Sequence, residues 1–71
     1  MMNIKEVKRD TPIEDLFEGE TRIITALKKR FEWAEDLLCV PPDYFRDIPN
    51  IGKTSVKKIL KVYDQLNSKF N

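Results

Sequence analysis

The stretch IPNIGKTSVKKIL, residues 48–60, decides how this chain is interpreted. It contains Gly-Lys-Thr, which also ends the phosphate loop of many nucleotide-binding proteins. That loop requires a second glycine five residues before Gly52 and a strand in front of it. Asp47 stands at that position, and Pro49 lacks the backbone N–H that the loop would donate. The stretch therefore does not fit a nucleotide-binding loop.

The same stretch fits the connection of a helix-hairpin-helix motif, in which two helices are joined by the pattern apolar-x-x-apolar-Gly. Ile48 and Ile51 can face a core, while Pro49 and Asn50 make the turn between them. Gly52 is expected at a sharp bend, where a residue without Cβ lets another surface come close to the backbone. The pattern predicts that a new helix begins directly after Gly52.

The first residues of that helix form a candidate phosphate site. The backbone N–H groups of Lys53, Thr54 and Ser55 would have no partner inside the helix, and the helix dipole favours an anion at this end. The two hydroxyl groups and the lysine ammonium can add to it, and such a site holds a backbone phosphate without reading bases. The alternative interpretation is that the motif is only a turn and its cap.

Apolar periodicity predicts an all-α fold, a compact bundle of four to five short helices ending in the helix-hairpin-helix. We expect a short first helix with Thr11 as N-cap and Pro12 in its first position. Helical segments should follow at about residues 20–30, 33–39 and 43–47, and the last helix should start at Lys53. The buried positions expected from the spacing are Ile23, Ile24, Leu27, Phe31, Trp33, Leu37, Leu38, Phe45, Val56, Ile59, Leu60, Tyr63 and Leu66. Residues 1–11 are interpreted as a flexible N-terminal arm, and residues 12–71 as one helical domain.

The charges are unevenly distributed although the chain of 71 residues carries a formal net charge of only +1. From Asn50 to the end, five lysines face a single aspartate, a net charge of +4. Residues 10–20 carry five acidic side chains and no basic one. The low net charge argues against a protein that binds polyelectrolytes strongly and nonspecifically. A domain with one basic and one acidic end can present one face to an anion and another to a protein.

Composition argues against an enzyme. The chain has no histidine and one cysteine, Cys39, which we expect to be a small apolar filler next to Leu38. No pair of carboxylates has a neighbouring base, nucleophile or metal-ligand set, so neither a cofactor nor a metal is predicted. No segment approaches the ~20 apolar residues of a membrane span, and a cytoplasmic location is expected.

Four segments in this order carry a resemblance to a known family: PIEDL at 12–16, TRIITALKK at 21–29, WAEDLL at 33–38 and IPNIGKTSVKKI at 48–59. The chain resembles the C-terminal domain of the bacterial RNA polymerase alpha subunit over about residues 12–66. The resemblance implies a SAM-like helical domain that binds the minor groove of AT-rich double-stranded DNA near promoters.

The resemblance also implies DNA-binding residues. Arg22 takes the place of the arginine that enters the minor groove, and Thr25 replaces the asparagine that supports it. Gly52, Lys53 and Ser55 match the hairpin of that family. Thr54 occupies a position where the family has a lysine, and Lys58 one where it has a glutamate. Two further candidates are Asn50 in the turn and Lys28 on the polar face of the helix that carries Arg22. The candidate DNA-binding set is therefore Arg22, Thr25, Lys28, Asn50, Gly52, Lys53, Thr54, Ser55 and Lys58.

A protein-interaction module is the competing interpretation. The near-zero net charge and the loss of two polar groups at the expected DNA site favour it. In this interpretation the chain docks on RNA polymerase, a sigma factor or a transcription regulator, or mimics the polymerase domain, without binding DNA itself.

Overall fold

The chain folds as a small, compact and mostly helical domain in this computed structural model, which describes residues 4–70. Three α-helices span Ile13–Leu16 (α1), Thr21–Lys28 (α2) and Lys53–Phe70 (α3), and three 3₁₀ helices span Ile4–Glu6, Ala34–Cys39 and Pro42–Asp47. Within residues 4–70 no strand forms, and a single antiparallel bridge joins Pro12 to Trp33. The predicted all-α class is confirmed at this level, although α3, with 18 residues, is longer than the short helices expected.

Helix α2 forms where the apolar spacing predicts it. Ile23, Ala26 and Leu27 lie on one face and are buried, because residues three and four apart share a face of an α-helix. Phe31 follows the helix and is also buried, and its backbone N–H donates to the carbonyl of Leu27 at 2.7 Å. The opposite face of α2 is left to polar side chains, which the candidate site uses.

The two middle segments form 3₁₀ helices rather than α-helices. Asp36 stabilises the start of the first of them. Its carboxylate accepts hydrogen bonds from the backbone N–H groups of Glu32 at 3.2 Å and Trp33 at 3.0 Å. Pro42 opens the second, where a proline lacks only an N–H that the helix does not need. Phe45 of this second helix is fully buried, as predicted.

The prediction that Trp33 belongs to the core is wrong. Its side chain is 37% exposed, the largest apolar side chain at the surface of residues 4–70. Trp33 is the extended residue before the helix, and the next residue, Ala34, takes the fully buried position instead. Cys39 is exposed as well, so it does not fill the core, and its thiol lies 3.9 Å from the carbonyl oxygen of Glu35.

Thr11 is not the N-cap of the first helix. Pro12 occupies the cap position of α1, one residue later than predicted. The Thr11 side chain is buried, and its hydroxyl accepts a hydrogen bond from the backbone N–H of Lys8 at 2.8 Å. The hydroxyl therefore stabilises the turn before the helix instead of capping the helix. Threonine side chains can form hydrogen bonds with backbone groups that precede or follow them.

Residues 4–11, expected to belong to a flexible arm, pack against the end of α3. Val7 is buried, and the Lys69 ammonium donates to the carbonyl oxygens of Ile4, Lys5 and Val7. The Arg9 guanidinium donates to the carbonyl of Phe70 at 3.0 Å and lies 5.1 Å from the centre of its ring. Both ends of the described chain are thereby joined. Residues 1–3 of the expected arm lie outside the described residues.

Helix α3 begins at Lys53, as predicted, and buries one face along the core. Ile59 and Leu66 are fully buried, and Val62, which the predicted stripe omitted, is buried between them. Tyr63 is half-buried, and its hydroxyl donates to the carbonyl of Val40 at 3.1 Å. No helix within residues 4–70 has the length and apolar character that crossing a membrane requires.

Candidate nucleic-acid interface

An open groove of about 470 Å³ lies between the polar face of α2 and the turn that precedes α3. Arg22 and Thr25 on α2 and Asn50 in the turn border it, so three candidate residues from distant parts of the chain meet here. We call this feature the α2 groove; its lining is Thr21, Arg22, Thr25, Ala26, Lys29, Arg30, Pro49 and Asn50. Ala26, which is almost fully buried, contributes a small apolar side chain to the lining.

The α2 groove is electropositive. Arg22, Lys29 and Arg30 are exposed there, and no acidic residue lines the groove. None of these three cations belongs to an ion pair within residues 4–70. An unneutralised cluster of this kind attracts an anionic ligand.

The turn before α3 bends at Asn50 rather than at Gly52. Asn50 has a φ of 69°, in the left-handed region that asparagine tolerates better than most residues. Gly52 is not among the residues with positive φ, so its backbone conformation does not require a glycine. Asn50 thus has a conformational role in addition to bordering the α2 groove.

Gly52 instead leaves the start of α3 open. The first intrahelical hydrogen bond runs from the N–H of Val56 to the carbonyl of Gly52 at 3.0 Å, which makes Gly52 the N-cap. A Cβ atom added to Gly52 would meet nothing within 4 Å. We call residues 52–55 the α3 head; its backbone N–H groups precede that of Val56, the first that donates within the helix, and a side chain at Gly52 would meet no neighbour.

Two candidate lysines are engaged by acidic residues. The Lys28 ammonium lies 3.1 Å from a carboxylate oxygen of Glu14, and the Lys58 ammonium lies 2.9 Å from Glu20. The second pair joins α3 to the residue that precedes α2. Part of the acidic run in residues 10–20 thus has an intramolecular partner.

The Glu14 carboxyl responds to this pairing. Its own backbone N–H, and next the hydrogen bond from Lys28, lower the pKa of Glu14 below its ordinary value. A lowered carboxyl pKa means that the native state binds the proton less readily than the unfolded chain. The stabilisation is therefore present above the unfolded pKa, and it is lost as the pH falls through the folded pKa.

We expect Lys28→Met to raise the pKa of Glu14 without restoring its ordinary value, because the backbone hydrogen bond remains. An NMR titration of the Glu14 side-chain carboxyl measures this pKa. Lys29→Met is the matched control, since Lys29 lies next in the chain and has no ion pair with Glu14. An equal rise in both variants would contradict a specific contact with Lys28.

The structure groups the candidate residues differently from the prediction. Arg22, Thr25 and Asn50 share the α2 groove, and the α3 head follows two residues after Asn50. Lys53 lines a neighbouring cleft, and Lys28 and Lys58 hold acidic partners. Five groove residues were not among the candidates, namely Thr21, Ala26, Lys29, Arg30 and Pro49. Lys29 could have been found, because it lies seven residues after Arg22 and so returns to the same helix face.

Comparison of the chain with family models, with curated proteins and with solved structures gave no match. The resemblance to the C-terminal domain of the polymerase alpha subunit therefore stays a prediction.

Proposed function

We propose that the chain is a non-catalytic DNA-binding module of the helix-hairpin-helix type, similar to the C-terminal domain of the RNA polymerase alpha subunit and acting in transcription or its regulation. One observation carries the proposal. The polar face of α2, with Arg22, and the turn that leads into the α3 head border one open groove whose three cations have no acidic partner within residues 4–70.

In this proposal Arg22 enters the minor groove of AT-rich double-stranded DNA. A narrow minor groove concentrates negative potential, so an inserted guanidinium selects it through shape and charge rather than through base-specific hydrogen bonds. Thr25 has a shorter reach than an asparagine and supports Arg22 only from the wall of the groove. Lys29 and Arg30 at the end of α2 are available to the flanking phosphates.

The α3 head takes one phosphate of the backbone. Its free amides and the positive end of an 18-residue helix favour an oxyanion, and the absent side chain of Gly52 lets the strand approach. The hydroxyl groups of Thr54 and Ser55 can donate to the same phosphate. With ~3 phosphates neutralised, the slope of log affinity against log salt should be about −2.7.

Arg22→Ala tests the proposal. We expect a loss of roughly tenfold in affinity for an AT-rich duplex, a smaller loss for a GC-rich duplex, and a salt slope shallower by about 0.9. Fluorescence anisotropy of labelled duplexes over a range of salt concentrations measures all three quantities.

Lys8→Ala is the control for Arg22→Ala. It also removes one positive charge, but at the other end of α3. Lys8 lies there because its neighbours Val7 and Arg9 contact Lys69 and Phe70. Its affinity for both duplexes should stay close to that of the wild type. Equal losses of affinity in Arg22→Ala and Lys8→Ala would show that the effect depends only on net charge. Equal losses of affinity for the AT-rich and GC-rich duplexes in Arg22→Ala would exclude insertion into the minor groove.

A second candidate function is a protein-interaction module that docks on polymerase, a sigma factor or a regulator. It is favoured by the pairing of Lys28 and Lys58 with Glu14 and Glu20, which takes two cations from the set expected to contact DNA. If the wild-type protein binds neither duplex at low salt, this second function replaces the first.

A further inference from the structure

An apolar cleft lies on the side of α3 that carries Lys53 and Lys57. Its floor consists of Val56 and Leu60, one turn apart on α3, and Ile51 from the loop before the helix. All three side chains are half-buried, and the cleft has a volume of about 440 Å³. None of the three residues lines the α2 groove, so the cleft is a separate surface.

The rim of this cleft is basic. Arg46, Lys53 and Lys57 surround the apolar floor, and no acidic residue is part of the lining. Arg46 is paired with Asp43 at 3.1 Å, whereas neither lysine forms an ion pair within residues 4–70. The cleft therefore combines an apolar floor with two uncompensated positive charges, and it is referred to below as the basic cleft.

The chemistry of the floor favours a protein segment over a nucleic acid. Single-stranded nucleic acids are held by aromatic rings on which bases stack, and the lining of the basic cleft contains no aromatic side chain. A sugar-phosphate backbone could satisfy the lysines but would leave Ile51, Val56 and Leu60 without an apolar partner. A peptide with apolar and acidic side chains satisfies both parts of the surface.

We infer that the basic cleft binds an acidic amphipathic helix of another protein. One or two aliphatic side chains of that helix, three or four residues apart, would enter between Ile51 and Leu60, as in other helix-in-groove complexes. Glutamates or aspartates beside them would contact Lys53 and Lys57, which fixes the direction of the bound helix and rejects basic segments. The inference does not depend on DNA binding, because the basic cleft shares no residue with the α2 groove and only Lys53 with the α3 head.

A synthetic probe tests this inference. We propose a short, fluorescein-labelled peptide of leucine, glutamate and alanine, with leucines spaced to form one helical face. The wild-type protein should bind it, and the amide NMR signals of residues 51–60 should shift. A peptide of the same composition in scrambled order, and one with lysine in place of glutamate, should bind at least roughly tenfold more weakly, because each lacks one of the two recognised features.

The decisive variants are Lys57→Glu and Lys8→Glu. Both side chains are exposed and both changes alter the net charge equally, but only Lys57 lines the basic cleft. Lys57→Glu should weaken binding of the acidic peptide by roughly fivefold or more, and Lys8→Glu should leave it within about twofold. Circular dichroism of both variants controls for folding.

Several results would overturn the inference. Equal binding of the scrambled peptide would show a nonspecific apolar contact, and equal weakening by the two variants would show a nonspecific charge effect. Sedimentation that reveals self-association lost in Lys57→Glu would make a second copy of this chain the occupant. A loss of duplex affinity in Lys57→Glu with unchanged peptide binding would assign the lysine to DNA.

Discussion

Gly52→Asp should remove most of the binding of AT-rich duplex DNA while the domain stays folded. The new carboxylate would stand at the N-cap of α3 and accept hydrogen bonds from the amides of the α3 head. Those amides are the donors that the proposed phosphate contact needs, and the added negative charge would repel the phosphate that remains. A lost charge-assisted contact and a new repulsion together correspond to a weakening of about thirtyfold, or roughly 2 kcal/mol.

The same substitution should not destabilise the protein. An added Cβ meets nothing within 4 Å, and Gly52 does not require a positive φ. Aspartate is among the preferred N-cap residues, so α3 should gain a few tenths of a kcal/mol relative to glycine. Binding and folding stability are therefore expected to change in opposite directions, which separates a lost contact from a lost fold.

Gly52→Asn is the matched control for Gly52→Asp. Asparagine caps the helix equally well and has nearly the same shape but no charge. Its affinity for DNA should lie between those of the wild type and Gly52→Asp, as measured by fluorescence anisotropy, with thermal unfolding followed in parallel. Wild-type affinity in both variants would show that no phosphate binds at the α3 head.

The helices could be predicted from the sequence because their signals are local. The spacing of Ile23 and Leu27 places α2, and the glycine before Lys53 places the start of α3. Pro42 marks the start of a helical turn in the same way. Each of these features depends on neighbours within a few residues, which is the range over which apolar periodicity and capping preferences act.

The features that sequence reasoning missed depend on residues far apart in the chain. Val7 is an isolated apolar residue in a polar segment, and its burial follows from contact with the far end of α3, where Lys69 binds the Val7 carbonyl. Helical spacing carries no information about such a partner. The pattern of residues 4–11 alone therefore predicts an arm rather than packing against α3.

Part of the candidate site could likewise not be foreseen. Lys28 and Lys58 have the exposure and charge of DNA-binding lysines, and their partners Glu14 and Glu20 are brought near only by the fold. The meeting of Arg22 with Asn50 is tertiary as well, and it was expected solely from the resemblance to the polymerase domain. Residue type predicted the chemistry of these side chains, but not which of them would be paired.

Phe45→Ala should unfold much of the protein population at physiological temperature. Phe45 is fully buried, and its ring centre lies 6.1 Å from that of Phe31, 5.9 Å from Tyr44 and 5.5 Å from Tyr63. It therefore joins a 3₁₀ helix to α3 through aromatic contacts. Truncating a buried phenylalanine removes about 3–5 kcal/mol, which is much of the total stability of a domain of this size.

Trp33→Ala is the control for Phe45→Ala, since both changes reduce an aromatic side chain to a methyl group. Trp33 is 37% exposed and so leaves a smaller cavity when it is truncated. We expect it to lose less than half of the stability that Phe45→Ala loses. Thermal unfolding followed by circular dichroism should show a midpoint lowered by more than about 12 °C in Phe45→Ala.

The ranking of the two variants tests the packing of the whole domain. Helical spacing alone assigns both aromatic residues to the core, so it predicts similar losses. In the structure, Ala34 takes the buried position beside Trp33, and Phe45 fills the space against Tyr63 of α3. A larger loss in Trp33→Ala would contradict the burial of Phe45 between the second of these 3₁₀ helices and Tyr63 of α3.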